Sequence, residues 1–149
     1  MKTSTSLGKL YLIPTTMGDC NPMDVLPQTI KRCIDLIDYY VVENDKTARK
    51  SIKEVSPQKK QSELKLFVLN KHTETKEHLD FIKPLLEGHN MGLMSEAGCP
   101  GVADPGAVIV KIAHDRGIQV IPLVGPSSIL LAMMASGMNG QSFTFHGYL

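Results

Sequence analysis

Cysteine is scarce. Cys20, Cys33 and Cys99 are odd in number, far apart and in no C-x-x-C pair. This speaks against a disulfide scaffold and a structural zinc site, and fits a reducing cytoplasm. An excess of charge is missing as well. Against 16 Lys and Arg stand 15 Asp and Glu, a net charge of +1. That balance argues against a basic coat protein that binds nucleic acid nonspecifically, but leaves room for a local basic patch. No apolar run approaches the ~20 residues that span a bilayer. The opening Met1-Lys2-Thr3-Ser4-Thr5-Ser6 has no apolar core of a secretory signal. The expected setting is therefore cytoplasmic, with no membrane partner. Phosphate-binding signatures are absent too. There is no G-K-[ST], and only Gly18 stands where a dinucleotide fold would place G-x-G-x-x-G. No G-x-S-x-G elbow suggests a hydrolase. His72, His78, His89, His114 and His146 share no ligand spacing, so no metal is expected.

What is present is an ordinary globular composition, 42% apolar and 21% charged over 149 residues, enough for one domain with a core. Short apolar runs alternate with amphipathic ones. Strands are predicted over 10–13, 39–42, 64–69, 91–94 and 119–123. Helices are predicted over 24–37, 45–55, 75–86, 107–116 and 126–136. Pro22 and Asp24 read as start signals for the first helix. Pro84 is expected to kink the third, whose apolar face holds Leu79, Ile82, Leu85 and Leu86. Met133 and Met134 read as core. Residues 142–148 alternate like a further strand. Strand–helix alternation implies an α/β fold with a five-stranded, mostly parallel sheet flanked by helices. Residues 7–140 would form this domain, and 141–149 the first strand of a mostly missing second one.

Four loops follow the predicted strands at the sheet edge where open α/β folds bind ligands. Ser95 to Gly106 holds three glycines and two prolines and exposes backbone N–H groups; it is either a long structural turn or a binding loop. Ile13 to Asp19 is a proline-stopped turn or a ligand loop. Glu43 to Lys50 gathers both charges on the entry to a helix. It is either a solvated N-terminus, capped by Asp45, or part of a site. Ser127 and Ser128, after Gly125-Pro126, either cap a helix or meet a ligand. Cys99 reads as a small packing residue rather than a nucleophile.

Taken in order, these loops resemble the tetrapyrrole methylase family, the class III S-adenosylmethionine-dependent methyltransferases. Leu10-Tyr11-Leu12-Ile13-Pro14-Thr15-Thr16-Met17-Gly18-Asp19 is similar to the family's first strand and loop. Gly98-Cys99-Pro100 with Asp104-Pro105-Gly106 is similar to its loop after strand four. Val120 to Ser128 resembles its V-V-P-G-x-[ST]-[SA] segment. The nearest branch is the one that methylates a cytidine 2′-hydroxyl of small-subunit ribosomal RNA, whose S-D-A-G-T-P-x-x-x-D-P-G loop is matched by Ser95 to Gly106. Val42-Glu43-Asn44-Asp45-Lys46 is a loose version of its A-E-D-T-R. Phe143 to Leu149 resembles the segment where its second domain begins. Glu96 for Asp, and Asn44-Asp45-Lys46 for Asp-Thr-Arg, depart from that pattern.

The resemblance implies the N-terminal domain of the tetrapyrrole methylase fold, with S-adenosylmethionine as cofactor. Pro14, Ser95, Glu96, Ala97, Gly98, Val102, Asp104, Ser127 and Ser128 would line the cofactor site. A ribose acceptor would need a base, for which Glu43, Asp45 and Glu96 are the candidates. Lys46, Arg49 and Lys50 are the candidates for RNA phosphates. The implied partners are ribosomal RNA or the small subunit, and a second copy in a homodimer. Two alternatives stand beside 2′-O-methylation: C-methylation of a tetrapyrrole precursor, and a non-catalytic binding fragment, because the second domain would be missing.

Overall fold

The computed structural model describes residues 6–147. Five strands form one sheet, β1 (Leu10–Leu12), β2 (Tyr39–Val42), β3 (Lys65–Val68), β4 (Met91–Met94) and β5 (Val120–Pro122). Their spatial order is β3-β2-β4-β1-β5, and every pairing is parallel. A parallel sheet is covered on both faces, which is why β2 and β4 read as unbroken apolar runs. On one face Ile13, Tyr40, Val42 and Met94 pack against Ile30 and Ile34 of α2 (Gln28–Leu36) and Ala48 and Ile52 of α3 (Asp45–Val55). On the other, Leu10, Val41, Met91 and Leu93 pack against Phe81, Leu85, Ile109 and Ala113 of later helices. Gly92 faces the first layer because a Cβ there would stand 2.7 Å from the Tyr40 ring and 2.8 Å from Ile13 Cδ1. The buried Tyr40 hydroxyl donates to Ile34 O at 3.4 Å, and burial pushes its pKa far up.

Two predicted helices are each divided by a proline. The stretch 24–37 becomes α1 (Pro22–Val25) and α2, because Pro27 has no N–H to carry α1 onward. Asn21, not Asp24, caps α1, accepting from Met23 N at 3.0 Å, with Pro22 in the first helical position. The stretch 75–86 breaks at Ile82 into α4 (Thr75–Phe81) and α5 (Lys83–Leu86), with Pro84 in the first turn of α5. Phe81, Ile82 and Leu85 are buried there, whereas Leu79 and Leu86 are exposed. After β4 comes α6 (Ala107–Asp115), and after β5 comes α7 (Ser128–Ala135).

The apolar α7 is not core. It buries no residue, and Met134 is 78% exposed. The expectation for Met133 and Met134 fails because apolarity on every side of a helix is consistent with burial but does not supply the neighbour. The predicted strand over 142–148 is also corrected: residues 142–147 form no ladder, and Tyr148 lies outside the described residues. Alternation marks a strand only where a partner edge accepts it.

The chain order places the connection after β1 on one face and that after β4 on the other, though β1 and β4 are neighbours. Such a reversal opens a crevice at the carboxyl ends of the strands. The long loop after β4 stands in it.

Candidate functional site

The loop after β4 is tied down on both sides. Thr15 N donates to Gly98 O at 3.0 Å and Gly98 N returns to Thr15 O at 3.2 Å, a small antiparallel bridge between the loops after β1 and β4. Gly98 has φ +70°, and a Cβ there would meet Pro126 O at 3.1 Å, so the loop after β5 also closes on it. Cys99 Sγ reaches Pro126 O at 3.3 Å, and burial pushes its thiol pKa up. It is a protonated packing group, not an activated thiolate.

Asp104 organises the second half of the loop. Its carboxylate accepts from Gly101 N at 2.9 and 3.0 Å and from Gly106 N at 2.7 Å. The neighbouring Ala103 sits at φ +57°, a left-handed conformation that costs an L-residue about 1–2 kcal/mol. Strain of this kind persists where surrounding contacts enforce it.

The loop after β2 joins from the other side. Glu96 N donates to Glu43 Oε2 at 3.3 Å, and Thr47 Oγ1 donates to Glu96 Oε1 at 2.8 Å. Asn44, not Asp45, caps α3, accepting from Thr47 N at 3.1 Å. Desolvation by burial holds the Glu43 carboxyl above its ordinary value, partly offset by the hydrogen bond from Glu96 N.

Together the loops enclose a cleft of about 540 Å³, in the range of small-molecule sites. Ser95, Glu96, Ala97, Gly98, Val102, Asp104, Ser127 and Ser128 all line it. Pro14 does not: it is buried behind the wall, where Gly125 lies against its ring. Met17, Cys99, Ala103, Ile129, Phe145 and Gly147 also line the cleft, and sequence reasoning did not single them out as site residues. Phe145 and Gly147 fall in the segment read as a strand, so the chain's return over the cleft had no local signal. Ser127 is half committed, since its Oγ caps α7 by accepting from Leu130 N at 3.4 Å.

The electrostatics of the cleft are one-sided. Glu43, Glu96 and Asp104 line it, and among the described residues no lysine or arginine does. Of the three candidate bases, Asp45 is not in the cleft; it pairs with Arg49 at 2.9 Å. Arg49 also donates to Gln61 O at 3.0 Å, and Lys50 faces Glu54 at 3.7 Å. Of the three candidate cations, Lys46 alone makes no ion pair among the described residues. No group of three or more His, Cys, Asp and Glu is placed to hold a metal ion among those residues, and no helix is long and apolar enough to cross a membrane.

No family model matches the chain. Curated proteins do. It is 33% identical over 147 residues to the "Ribosomal RNA small subunit methyltransferase I" of Bacillus subtilis, covering 97% of this chain and 47% of that protein. The proteins of the same name from Vibrio cholerae and Escherichia coli O157:H7 are 31% identical over 143 residues and 29% over 144. These matches cover 94% and 97% of this chain, and 46% and 48% of theirs. The chain spans about half the length of the curated relatives it matches.

Proposed function

We infer that this chain, a homologue over nearly its whole length of the ribosomal RNA small subunit methyltransferase I proteins of the tetrapyrrole methylase family, binds S-adenosylmethionine in the cleft after β4. The observation that carries this reading is the charge of the cleft: three carboxylates and, among the described residues, no basic side chain. Such a lining repels nucleotide phosphates and attracts a cation, and a sulfonium is a cation. The residues present therefore fit this cofactor better than a dinucleotide or a nucleoside triphosphate. When bound, it supplies an electrophilic methyl group.

The rest is the work of this chain's residues. Ser95, Glu96, Ala97, Gly98 and Val102 form the wall that the cofactor rests on. Asp104 holds that wall in shape, and Pro14 lies behind the cleft against Gly125. Ser127 and Ser128 offer hydroxyls on the opposite side. The acceptor is a ribose 2′-hydroxyl of small-subunit ribosomal RNA. Glu43 is the group to take its proton, at a carboxylate oxygen: it lines the cleft, and desolvation makes it a stronger base than an exposed glutamate. Glu96 is less suited, because its carboxylate accepts from Thr47 at 2.8 Å, a closer bond than the 3.3 Å one that Glu43 accepts from Glu96 N. Lys46 faces solvent on the same edge and is placed to meet phosphate.

Titration calorimetry tests the cofactor reading. S-adenosylmethionine and S-adenosylhomocysteine should bind, the cationic form more tightly at low salt, while ATP should not. Binding of ATP alone, or of none of the three, overturns it.

A further inference from the structure

Beside the acidic cleft lies a second, more open basin of about 660 Å³. Glu43, Ala103 and Asp104 form the wall that the two share. The far side is the loop after β3, with Asn70, Lys71 and His72. That loop is pinned as a turn: His72 N donates to Asn70 Oδ1 at 2.8 Å, Asn70 N to Thr73 Oγ1 at 3.0 Å, and Thr73 N to Asn70 O at 3.1 Å. The turn presents two exposed basic-type side chains, and Lys71 makes no ion pair among the described residues. Adjoining hollows thus differ in charge: the first carries three carboxylates, and the second sets Lys71 and His72 across from the two shared ones, Glu43 and Asp104, the latter already accepting from Gly101 N and Gly106 N.

We propose that this second basin is the acceptor subsite, in which Lys71, with His72 beside it, holds a phosphodiester of single-stranded RNA next to the shared Glu43 wall. The proposal rests on the cofactor reading above for its neighbour, but its own ground is the basin and the basic turn. A phosphate there is separated from the cofactor cleft only by Glu43, Ala103 and Asp104. A nucleotide anchored by its backbone at Lys71 would reach the wall with its sugar. The unpaired Lys46, on the first turn of α3 at the same sheet edge, extends the basic rim.

The test uses the full chain, fluorescein-labelled single strands tiling the small-subunit ribosomal RNA, and anisotropy over a salt series. Lys71→Glu should weaken RNA binding at least several-fold across all strands that bind. Lys71→Ala should flatten the salt dependence by about 0.7 of a log–log slope for one lost phosphate contact. Calorimetry with S-adenosylhomocysteine should give the native affinity for both variants. Arg116→Glu is the control, an exposed cation at the opposite edge of the sheet, and should bind RNA as the native chain does. RNA binding untouched by Lys71→Glu, an equal loss in Arg116→Glu, or no RNA binding by the native chain overturns the subsite. Loss through Lys71 alone in a chain that binds no S-adenosylhomocysteine sustains the subsite and sinks the cofactor reading instead.

Discussion

Asp104 shows how much of a site is spent on holding itself together. Its carboxylate satisfies the N–H groups of Gly101 and Gly106, and neither glycine has a side chain to compensate. Asp104→Ala leaves both donors without this acceptor, at a cost of about 1–3 kcal/mol. The expected result is a lower melting temperature together with weakened S-adenosylhomocysteine binding, and Asp104→Asn should fall between. Native affinity in Asp104→Ala would show that the loop keeps its shape without the carboxylate. Glu43 makes a different prediction. Its folded pKa is raised, so its favourable contribution to stability is complete below the unfolded value of about 4.3 and is lost as pH rises through the folded one. Glu43→Gln cannot ionise, and its amide oxygen can still accept from Glu96 N. Its stability relative to the native chain should therefore climb across that window and level off above it. Urea unfolding of both proteins at a series of pH values checks this, and a constant difference would refute it. At this scale the sequence was informative about residue type and silent about engagement. Eight of nine expected cleft residues line the cleft, but nothing in the string Asp45-Lys46-Thr47-Ala48-Arg49-Lys50 says that Arg49 is held by Asp45.

Elements were legible where pattern and neighbour agree. The period of Ile30 and Ile34, or of Ala48, Ile52 and Val55, marks a helix with one buried stripe, and the sheet supplies the surface it packs on. Prolines set the boundaries more sharply than the apolar pattern suggests, since Pro27 divides one expected helix and Pro84 starts another within a second. The case of α7 is the reverse, because its apolar residues have no stripe and no partner. Two substitutions separate the cases. Ile52 is wholly buried, and Ile52→Ala should cost about 2–5 kcal/mol through lost contacts and a residual cavity. Met134→Lys should change stability by no more than about 0.5 kcal/mol, because the side chain is already in water. Chemical unfolding of the two variants decides it. A large loss in Met134→Lys would mean that α7 is covered in solution.

At the scale of the whole molecule, function depends on an arrangement that no local pattern encodes. The loops after β1, β4 and β5 meet because β1 lies between β4 and β5, and the loop after β2 joins because β2 borders β4 on its other side. Strand–helix alternation implied parallel strands, but left their spatial order open; contacts between residues some eighty positions apart, such as Thr15 with Gly98, set it. Among these loops, Gly125 beside Pro14 is the glycine with least room for a side chain. A Cβ on Gly125 would stand 2.1 Å from Pro14 Cβ and 2.3 Å from its Cγ, and a proline ring has no rotamer by which to leave. Gly125→Ala must therefore push the loop after β5 away from the loop after β1. That carries Pro126 off Gly98 and Cys99, and Ser127 and Ser128 away from the facing wall of the cleft. The expected cost is about 1–3 kcal/mol, together with weaker S-adenosylhomocysteine binding. Gly18→Ala is the matched control, since it lies beyond Pro14 in the loop after β1, and a Cβ there meets nothing within 4 Å. If Gly125→Ala loses stability but binds S-adenosylhomocysteine like Gly18→Ala, the loop after β5 is a brace for the fold and not a wall of the site.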